Sequence, residues 1–456
     1  MIWNPAAETM PRAERQRLQL ERLRESVARA QSRVPLHRER LAEAGVTPQA
    51  IRSLDDLDQL PFTFKDDLRQ HYPWGLFGVP LASVARIHAS SGTRGKPTVV
   101  GYTKSDLEIW RDVMARALAA AGAAPGEMIQ VAYGYGLFTG GLGFHDGAEH
   151  MGLTVVPVSS GNTMRQILLL QDFRPQGLAC TPSFALYIGE AMREQGIDPR
   201  SIGLRYGLFG AEPWTEAMRA QLEALWGLTA IDFYGLSEVI GPGVASECVE
   251  GRPGLHVNED HFLPEIVDPV TGTRCPAGHE GELVLTSLTK EALPVIRYRT
   301  GDITRLDATP CPCGRTTVRI ARIKGRSDDM LVIKGVNVYP SQLEAALLTL
   351  GDLAPHYQLL VDRTHAFPTL EVQVEPTEAL VQAWGGFDAS SAQARALTAR
   401  VAERLRAHLG LNPDIAIVAP KTVPRSEGKA VRVIERRAPE DGARVPVAAT
   451  VKGDQP

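Results

Sequence analysis

Five short apolar runs, "MIQVAY", "LTVVPV", "QGLAC", "LRYGLF" and "LTAIDFY", recur between residues 128 and 234, and the stretches between them carry helical patterns such as "TMRQILLLQDF" and "TEAMRAQLEALW". Such a run, with no regular polar alternation, has no face to offer water and fits a strand covered on both sides. Strands alternating with helices predict a largely parallel sheet whose ligands lie beyond the carboxyl ends of its strands. The expected fold class is α/β, with a large N-terminal domain of mainly parallel, helix-covered sheets.

The flanking sequence changes rhythm. Residues 13–34 carry Leu and Val at mixed three and four spacing among many Arg and Glu, as an amphipathic helix does, and Pro35 is expected to end it. "ARIHAS" reads as a strand; a glycine-rich loop follows, then a helix from Ser105 whose "SDLE" is a capping box. After residue 260, "PEIVDPVTGT" and "GELVLTSL" predict an antiparallel subdomain. Beyond "KGRSDDMLVIKG", the runs "YQLLV" and "TLEVQVE", a helix near 388–409 and "DIAIVAP" make a compact ββαβ unit. The expected domains are 1–327, holding the nucleotide and acyl sites, and 328–440, small, mobile and α+β. Residues 441–456 mix Pro, Gly, Ala and charge without period and are expected to be disordered.

A chain of 456 residues exceeds one ordinary core, so burial is ample. Its net charge of -4 gives no electrostatic reason to expect nucleic acid or an anionic membrane. No run approaches 18 apolar residues, and Pro5 and Glu8 interrupt the stretch where a signal peptide needs an apolar core. The expected setting is cytoplasmic, with small-molecule substrates and neither nucleic acid nor membrane as partner; a homodimer is compatible with the sequence. The odd count of five cysteines fits a reducing compartment, with thiols used singly or for metal.

The glycine-rich stretch "ASSGTRGKPTVVGYT", residues 89–103, has the composition of a polyphosphate cradle. A Walker loop needs Gly five residues before its Gly-Lys pair and a hydroxyl after it, and those positions are Ser90 and Pro97. Proline cannot offer a hydroxyl to magnesium, which excludes the P-loop NTPases.

Each motif alone is weak, but the ordered series "SSGTRGKP", "GAEPW", "YGLSE", "RYRTGD", "GRSDDM", "KGVNVYP" and "PRSEGKA" resembles the signatures of the AMP-forming acyl-adenylate synthetases across nearly the whole chain. The longer stretches "IWNP", "YGYGLFTGGLGFHDGAE", "EDHFLPEIVDP", "TSLTKEALPVIRYRTGD" and "VPRSEGKA" are most similar to the phenylacetate-coenzyme A ligase family. The resemblance implies a two-step reaction, the first step of phenylacetate catabolism. A carboxylate attacks the α-phosphate of ATP to give acyl-AMP and pyrophosphate, and coenzyme A then displaces AMP. ATP and coenzyme A are substrates and Mg²⁺ the cofactor, with fixed donors and a cation stabilising the charge that builds on the phosphates.

By the same resemblance, the phosphate loop donors are Ser90, Ser91, Gly92, Thr93, Gly95 and Lys96; Arg94, where threonine is expected, is expected to point to solvent, with an added phosphate contact as the alternative. Glu238 holds Mg²⁺. Ala211, Glu212 and Pro213, with Asp232, Phe233, Tyr234 and Gly235, form the adenine pocket; Asp302 binds the ribose and Arg326 lies near the nucleotide. Tyr133, Phe138, Gly210, Ala211, Ile240 and Pro242 line a flat apolar slot suited to an aryl ring. Lys429 reaches the α-phosphate and the substrate carboxylate during adenylation. Asp328 is the hinge, and Lys334 and Gly335 belong to the thiolation face. The alternatives are a coenzyme A ligase for another aryl acid and a nucleotide-binding regulator without turnover.

Cys248, His256, Cys311 and Cys313 form a three-sulfur, one-imidazole set that zinc accepts, with Cys275 and His279 as competing ligands. Four protein ligands would make that metal structural. Reduced structural thiols with a satisfied histidine remain the alternative.

Overall fold

A computed structural model describes residues 1–90, 97–327, 329–333, 336–363, 369–410, 412–428 and 430–436. The chain forms two compact units. One comprises Met1–Met330 with Pro424–Ala430; the other comprises Leu331–Val423 and the chain from Val431 on.

The first unit is built on a nine-stranded mixed sheet. Its parallel part contains β3 (Met128–Val131), β4 (Thr154–Val156), β5 (Gly177–Cys180), β6 (Tyr206–Gly210) and β7 (Thr229–Leu236), in the order β4-β3-β5-β6-β7. Both β5 and β6 are buried at every residue, and Leu178, Leu208 and Ile231 expose nothing. Burying each such side chain contributes about 2 kcal/mol, which is why apolar runs without alternation settle here. The intervening helices start where the sequence supplies caps: the Asn162, Thr181 and Thr215 side chains each accept a backbone N–H of the first turn. The expected parallel strands and helices are therefore present.

Beyond β7 the sheet turns antiparallel, through β8 (Gly241–Ser246) and β9 (Leu255–Val257) to an edge made by the short β14 (Arg319–Ile320) and β13 (Leu306–Asp307). A separate antiparallel sheet has the order β10 (Phe262–Val267), β11 (Gly281–Ser287), β12 (Tyr298–Thr304) and β15 (Gly325–Arg326). The hairpin β1 (Arg86–Ala89) and β2 (Val99–Tyr102) brackets the glycine loop.

The first long helix, Arg12–Arg33, stops before Pro35 as expected, and Pro35 also opens a further helix, Pro35–Glu43, because its missing N–H and fixed φ suit a first helical position. One local expectation is corrected. The capping box of the helix Lys104–Ala120 is Thr103 with Asp106, two residues earlier than "SDLE" suggested. Asp106 is fully buried and its carboxylate accepts the N–H groups of Thr103, Glu291 and Ala292, so its tertiary partners fix the start.

The second unit packs the helices Pro340–Leu347 and Ala392–Leu409 on a four-stranded sheet. The sheet order is Asp414–Ile417, Thr369–Pro376, Leu353–Asp362, Val433–Arg436. Leu359, Val372, Val401 and Leu405 fill its core. Four features exceed the expected ββαβ pattern: the helices Pro340–Leu347 and Glu378–Trp384, a hairpin, Leu331–Ile333 with Val336–Val338, and the strand Val433–Arg436, parallel to Leu353–Asp362. The expected tail, 441–456, lies outside the described residues.

Candidate functional site

The expected site residues of the first unit gather at the carboxyl ends of β1, β6 and β7. Leaving β6, Gly210 sits so close to β7 that a Cβ would meet the Phe233 carbonyl oxygen at 2.6 Å, and Ala211 takes a left-handed φ of 66°. Parallel pairing sets Gly210 opposite Phe233, which brings Ala211, Glu212 and Pro213 beside Asp232, Phe233, Tyr234 and Gly235. Behind them two guanidinium groups lie over the Trp214 ring, Arg219 at 4.8 Å and Arg322 at 4.6 Å from its centroid. Burial pushes the Asp232 carboxyl up, against the pull of Arg322. Glu247, fully buried, accepts the Asp232 N–H at 2.8 Å and pairs with Arg219 at 2.8 Å. The Glu212 side chain is engaged by backbone: Oε1 accepts the Ser183 N–H at 2.8 Å and Oε2 the Ala430 N–H at 2.9 Å.

Pairing of β12 with β15 sets Asp302 opposite Arg326. The Asp302 carboxylate accepts Arg326 Nη1 at 3.2 Å and the Tyr234 hydroxyl at 2.5 Å. Burial and then the Asp302 charge push the Tyr234 phenol up, so that hydroxyl stays a donor.

Glu238 is buried, and its Oε1 accepts the Tyr298 hydroxyl at 3.3 Å. Lys290 is 1% exposed, its Nζ is 4.2 Å from the Tyr102 ring centroid, and it has no hydrogen-bond partner among the described residues. Burial brings its pKa down to about 8, while Asp106 and Glu238 pull it up. The Tyr102 hydroxyl in turn donates to the Ile240 carbonyl at 2.9 Å, tying β2 to the turn after Glu238. Ser90 closes the base of the phosphate loop, its N–H donating to the Thr98 carbonyl at 3.0 Å.

The aryl-slot candidates fall into one apolar cluster. Tyr133 is stacked on Phe144 at 5.4 Å and meets Phe233 edge-on at 5.9 Å, with its hydroxyl spent on the Cys180 carbonyl. Ile240 and Pro242 are buried, and Phe138 is half-buried at the start of the helix Thr139–Met151. Trp110 donates to the Pro242 carbonyl at 2.8 Å. Ser91, Gly92, Thr93, Arg94, Gly95, Lys96, Asp328, Lys334, Gly335 and Lys429 lie outside the described residues.

The thiol and imidazole set comes together at the β9–β14 edge. One ligand atom each from Cys248, His256, Cys311 and Cys313 lies within 4.8 Å of the others. His256 Nε2 is 3.6 Å from Cys248 Sγ and 3.4 Å from Cys313 Sγ, and Cys248 Sγ is 3.6 Å from Cys311 Sγ. The other imidazole nitrogen, Nδ1, is 3.0 Å from Thr317 Oγ1. Burial works against ionising Cys313, but hydrogen bonds from His256 and the Arg315 N–H outweigh it and bring the thiol down. Cys275 is bonded to the Glu280 carbonyl and is not part of the set.

Sequence reasoning passed over Tyr298, Lys290 and Thr181. Tyr298 stands in "RYRTGD" and Lys290 in "TSLTKEALP", a stretch of mixed polarity in which nothing local marks the lysine as buried. Thr181 carried only the mark of a helix cap.

Comparison with known proteins identifies the family. Residues 15–289 match the AMP-binding enzyme family and residues 335–437 the AMP-binding enzyme C-terminal domain, and the chain belongs to this family. The chain is 52% identical to the phenylacetate-coenzyme A ligase of Thermus thermophilus over 444 residues, which are 96% of this chain and 100% of that one. It is 50% identical to the Escherichia coli phenylacetate-coenzyme A ligase over 431 residues, covering 94% and 97%. The resemblance drawn from the motif series is borne out. Among solved structures, 2-hydroxyisobutyryl-CoA ligase in the postadenylation state with 2-HIB-AMP matches at a TM-score of 0.89 and 30% identity, over 95% of this chain and 92% of that one. No helix among the described residues is long and apolar enough to cross a membrane.

Proposed function

We propose that the chain is an ATP-dependent ligase that converts phenylacetate and coenzyme A to phenylacetyl-CoA, AMP and pyrophosphate through an acyl-adenylate. The observation that carries this reading is the ordered motif series, aligned with phenylacetate-coenzyme A ligases at about half identity over nearly the whole chain. Asp302 receives the ribose hydroxyls, with Tyr234 and Arg326 holding its carboxylate, and the segments after β6 and β7 hold the adenine. Glu238 fits Mg²⁺: it is a buried, hard oxygen donor with one carboxylate oxygen bonded to Tyr298 and the other without that partner. The cation would neutralise charge on the ATP phosphates. Tyr298 fixes the Glu238 side chain, and the apolar cluster around Tyr133, Phe233 and Ile240 excludes water from the acyl end. Lys429 supplies the point charge for adenylation. The domain of residues 328–440 then turns about Asp328 to bring Lys334 and Gly335 to the pocket for thioester formation. ATP and phenylacetate should release pyrophosphate, and coenzyme A should be consumed only when both are present. Pyrophosphate release with ATP and no acid specificity would count against the reading.

The four-residue sulfur and nitrogen set reads as a structural zinc site. Tetrahedral zinc with Zn–S of about 2.3 Å and Zn–N of about 2.0 Å gives edges of about 3.8 Å between sulfurs and about 3.5 Å from sulfur to nitrogen. The separations of 3.6, 3.6 and 3.4 Å fall near those edges. Backbone N–H groups of Gly251 and Arg315 donate to Cys248 Sγ and Cys313 Sγ, as suits thiolates. The His256–Thr317 contact fixes the imidazole so that Nε2 faces the metal. Such a site clips the β13–β14 edge onto the main sheet and takes no part in the chemistry.

A further inference from the structure

The segment Pro424–Ala430 belongs to the first compact unit, although the chain on both sides of it builds the second. Three side chains hold it. Thr163 Oγ1 donates to Glu427 Oε1 at 2.8 Å, Thr181 Oγ1 donates to the Gly428 carbonyl at 2.8 Å, and Glu212 Oε2 accepts the Ala430 N–H at 2.9 Å. The Gly428 carbonyl belongs to the peptide group before Lys429 and the Ala430 N–H to the one after it. The described groups on either side of position 429, the Gly428 carbonyl and the Ala430 N–H, are each held by a side chain.

The three holding residues come from three successive turns of the parallel sheet. Thr163 opens the helix after β4, Thr181 caps the helix after β5, and Glu212 follows β6. Thr163 and Thr181 are buried, at 7% and 4% exposure. The Thr181 hydroxyl accepts the Phe184 N–H at 3.4 Å, which leaves its proton for Gly428. The other Glu212 oxygen takes the Ser183 N–H at the start of the same helix, where the helix dipole favours an anion. That carboxylate is thus oriented before the loop reaches it. Gly161 leaves room for Glu427: a Cβ there would stand 3.3 Å from Glu427 Oε2.

We infer that Thr163, Thr181 and Glu212 form a latch that seats the lysine loop for adenylation and has no part in thioester formation. They are positioning residues: each acts on the loop backbone or on Glu427, and through it on Lys429. The inference rests on the ligase reading above, in which the smaller domain turns between the two half-reactions. Any such turn has to break these three hydrogen bonds, so the latch must be strong enough to seat the loop and weak enough to release it. Two neutral hydrogen bonds and one to a carboxylate meet that requirement.

The test compares the wild type with Thr181→Val, Thr181→Ser and Thr163→Val in three measurements. These are single-turnover pyrophosphate release from ATP and phenylacetate, thiolysis of supplied phenylacetyl-AMP by coenzyme A, and amide hydrogen exchange of the peptide spanning 424–430. Thr181→Val and Thr163→Val should slow pyrophosphate release about 10- to 100-fold, the effect of losing one or two such bonds. Thiolysis should stay within about twofold of wild type by the same reasoning, since no latch bond is made in that step. Exchange in 424–430 should rise, and Thr181→Ser should restore both rate and protection. Equal loss in the two half-reactions, unaltered pyrophosphate release beside an active wild type, or unaltered exchange would each overturn the latch. A wild type inactive in both half-reactions would instead overturn the ligase reading, and the exchange measurement would still decide whether Thr181 and Thr163 hold the loop.

Discussion

Removing one ligand of the sulfur and nitrogen set should unclip the sheet edge without stopping the chemistry. Cys248 and Cys311 stand 63 positions apart in sequence, so a metal that joins them closes a long loop in the unfolded chain's terms. A cross-link over a loop of that length contributes about 4 kcal/mol by chain entropy. Unfolding entropy near about 2.1 cal/mol/K per residue, taken over the first unit's roughly 340 residues, gives a slope of about 0.7 kcal/mol per degree. Loss of the clip should therefore lower Tm by about 6 °C, on the same scale. Metal analysis of protein purified without added zinc should find one zinc per chain. A chelator should lower the Tm of the wild type by that amount while early pyrophosphate release continues. Cys311→Ser should show the lowered Tm already, bind no zinc, and respond no further to chelator. Gly251→Ala should behave alike, because a Cβ there would collide with Cys311 Sγ. Metal-free wild type, or a chelator shift of the same size in the wild type and Cys311→Ser, would refute the clip and leave a cluster of reduced thiols.

Phenylacetate should exceed acetate in kcat/KM by about 30- to 150-fold, the worth of burying a phenyl ring, and equal values would remove the aryl slot. Lys429→Ala should cut acyl-AMP formation by about 100- to 1000-fold and spare thiolysis, whereas Asp328→Pro should make acyl-AMP in one turnover and stall before the thioester; equal slowing of both half-reactions in both variants would rule out the alternating domain. Burial lowers Lys290 from an ordinary 10.5 to about 8, so below pH 8 the fold carries the full cost of an unpartnered ammonium, about 3 kcal/mol. Between pH 8 and 10.5 the folded state sheds that proton before the unfolded state does, and stability rises with pH. Lys290→Met should thus be more stable than wild type to urea at pH 7, with the advantage fading by pH 10, and a difference independent of pH would contradict this account.

How far the sequence disclosed the molecule depends on whether a signal was local. Strands β3 to β7 were legible because a strand buried on both faces must be apolar throughout, and the helices between them announced their starts at Thr215 and Thr163. The capping box of the helix at Lys104 is displaced by two residues in the sequence reading, since Ser105 and Glu108 offer the same box as Thr103 and Asp106. What decides between them is Asp106 reaching the backbone of Glu291 and Ala292, 185 and 186 residues away. The same distance problem governs the site. Asp302 and Tyr234 stood in separate motifs, and only the packing of two sheets shows the tyrosine hydroxyl on that carboxylate. The Cys and His set was found from chemistry rather than spacing, because β9 and the 311–313 loop meet through pairing that no spacing rule encodes. Thr181 is the hardest case: as a helix cap it needs no further explanation, and its second hydrogen bond, to Gly428, crosses 247 residues. A residue with a sufficient local role conceals a distant one, so the long-range half of a site built on helix caps emerges only when the fold brings its partners together.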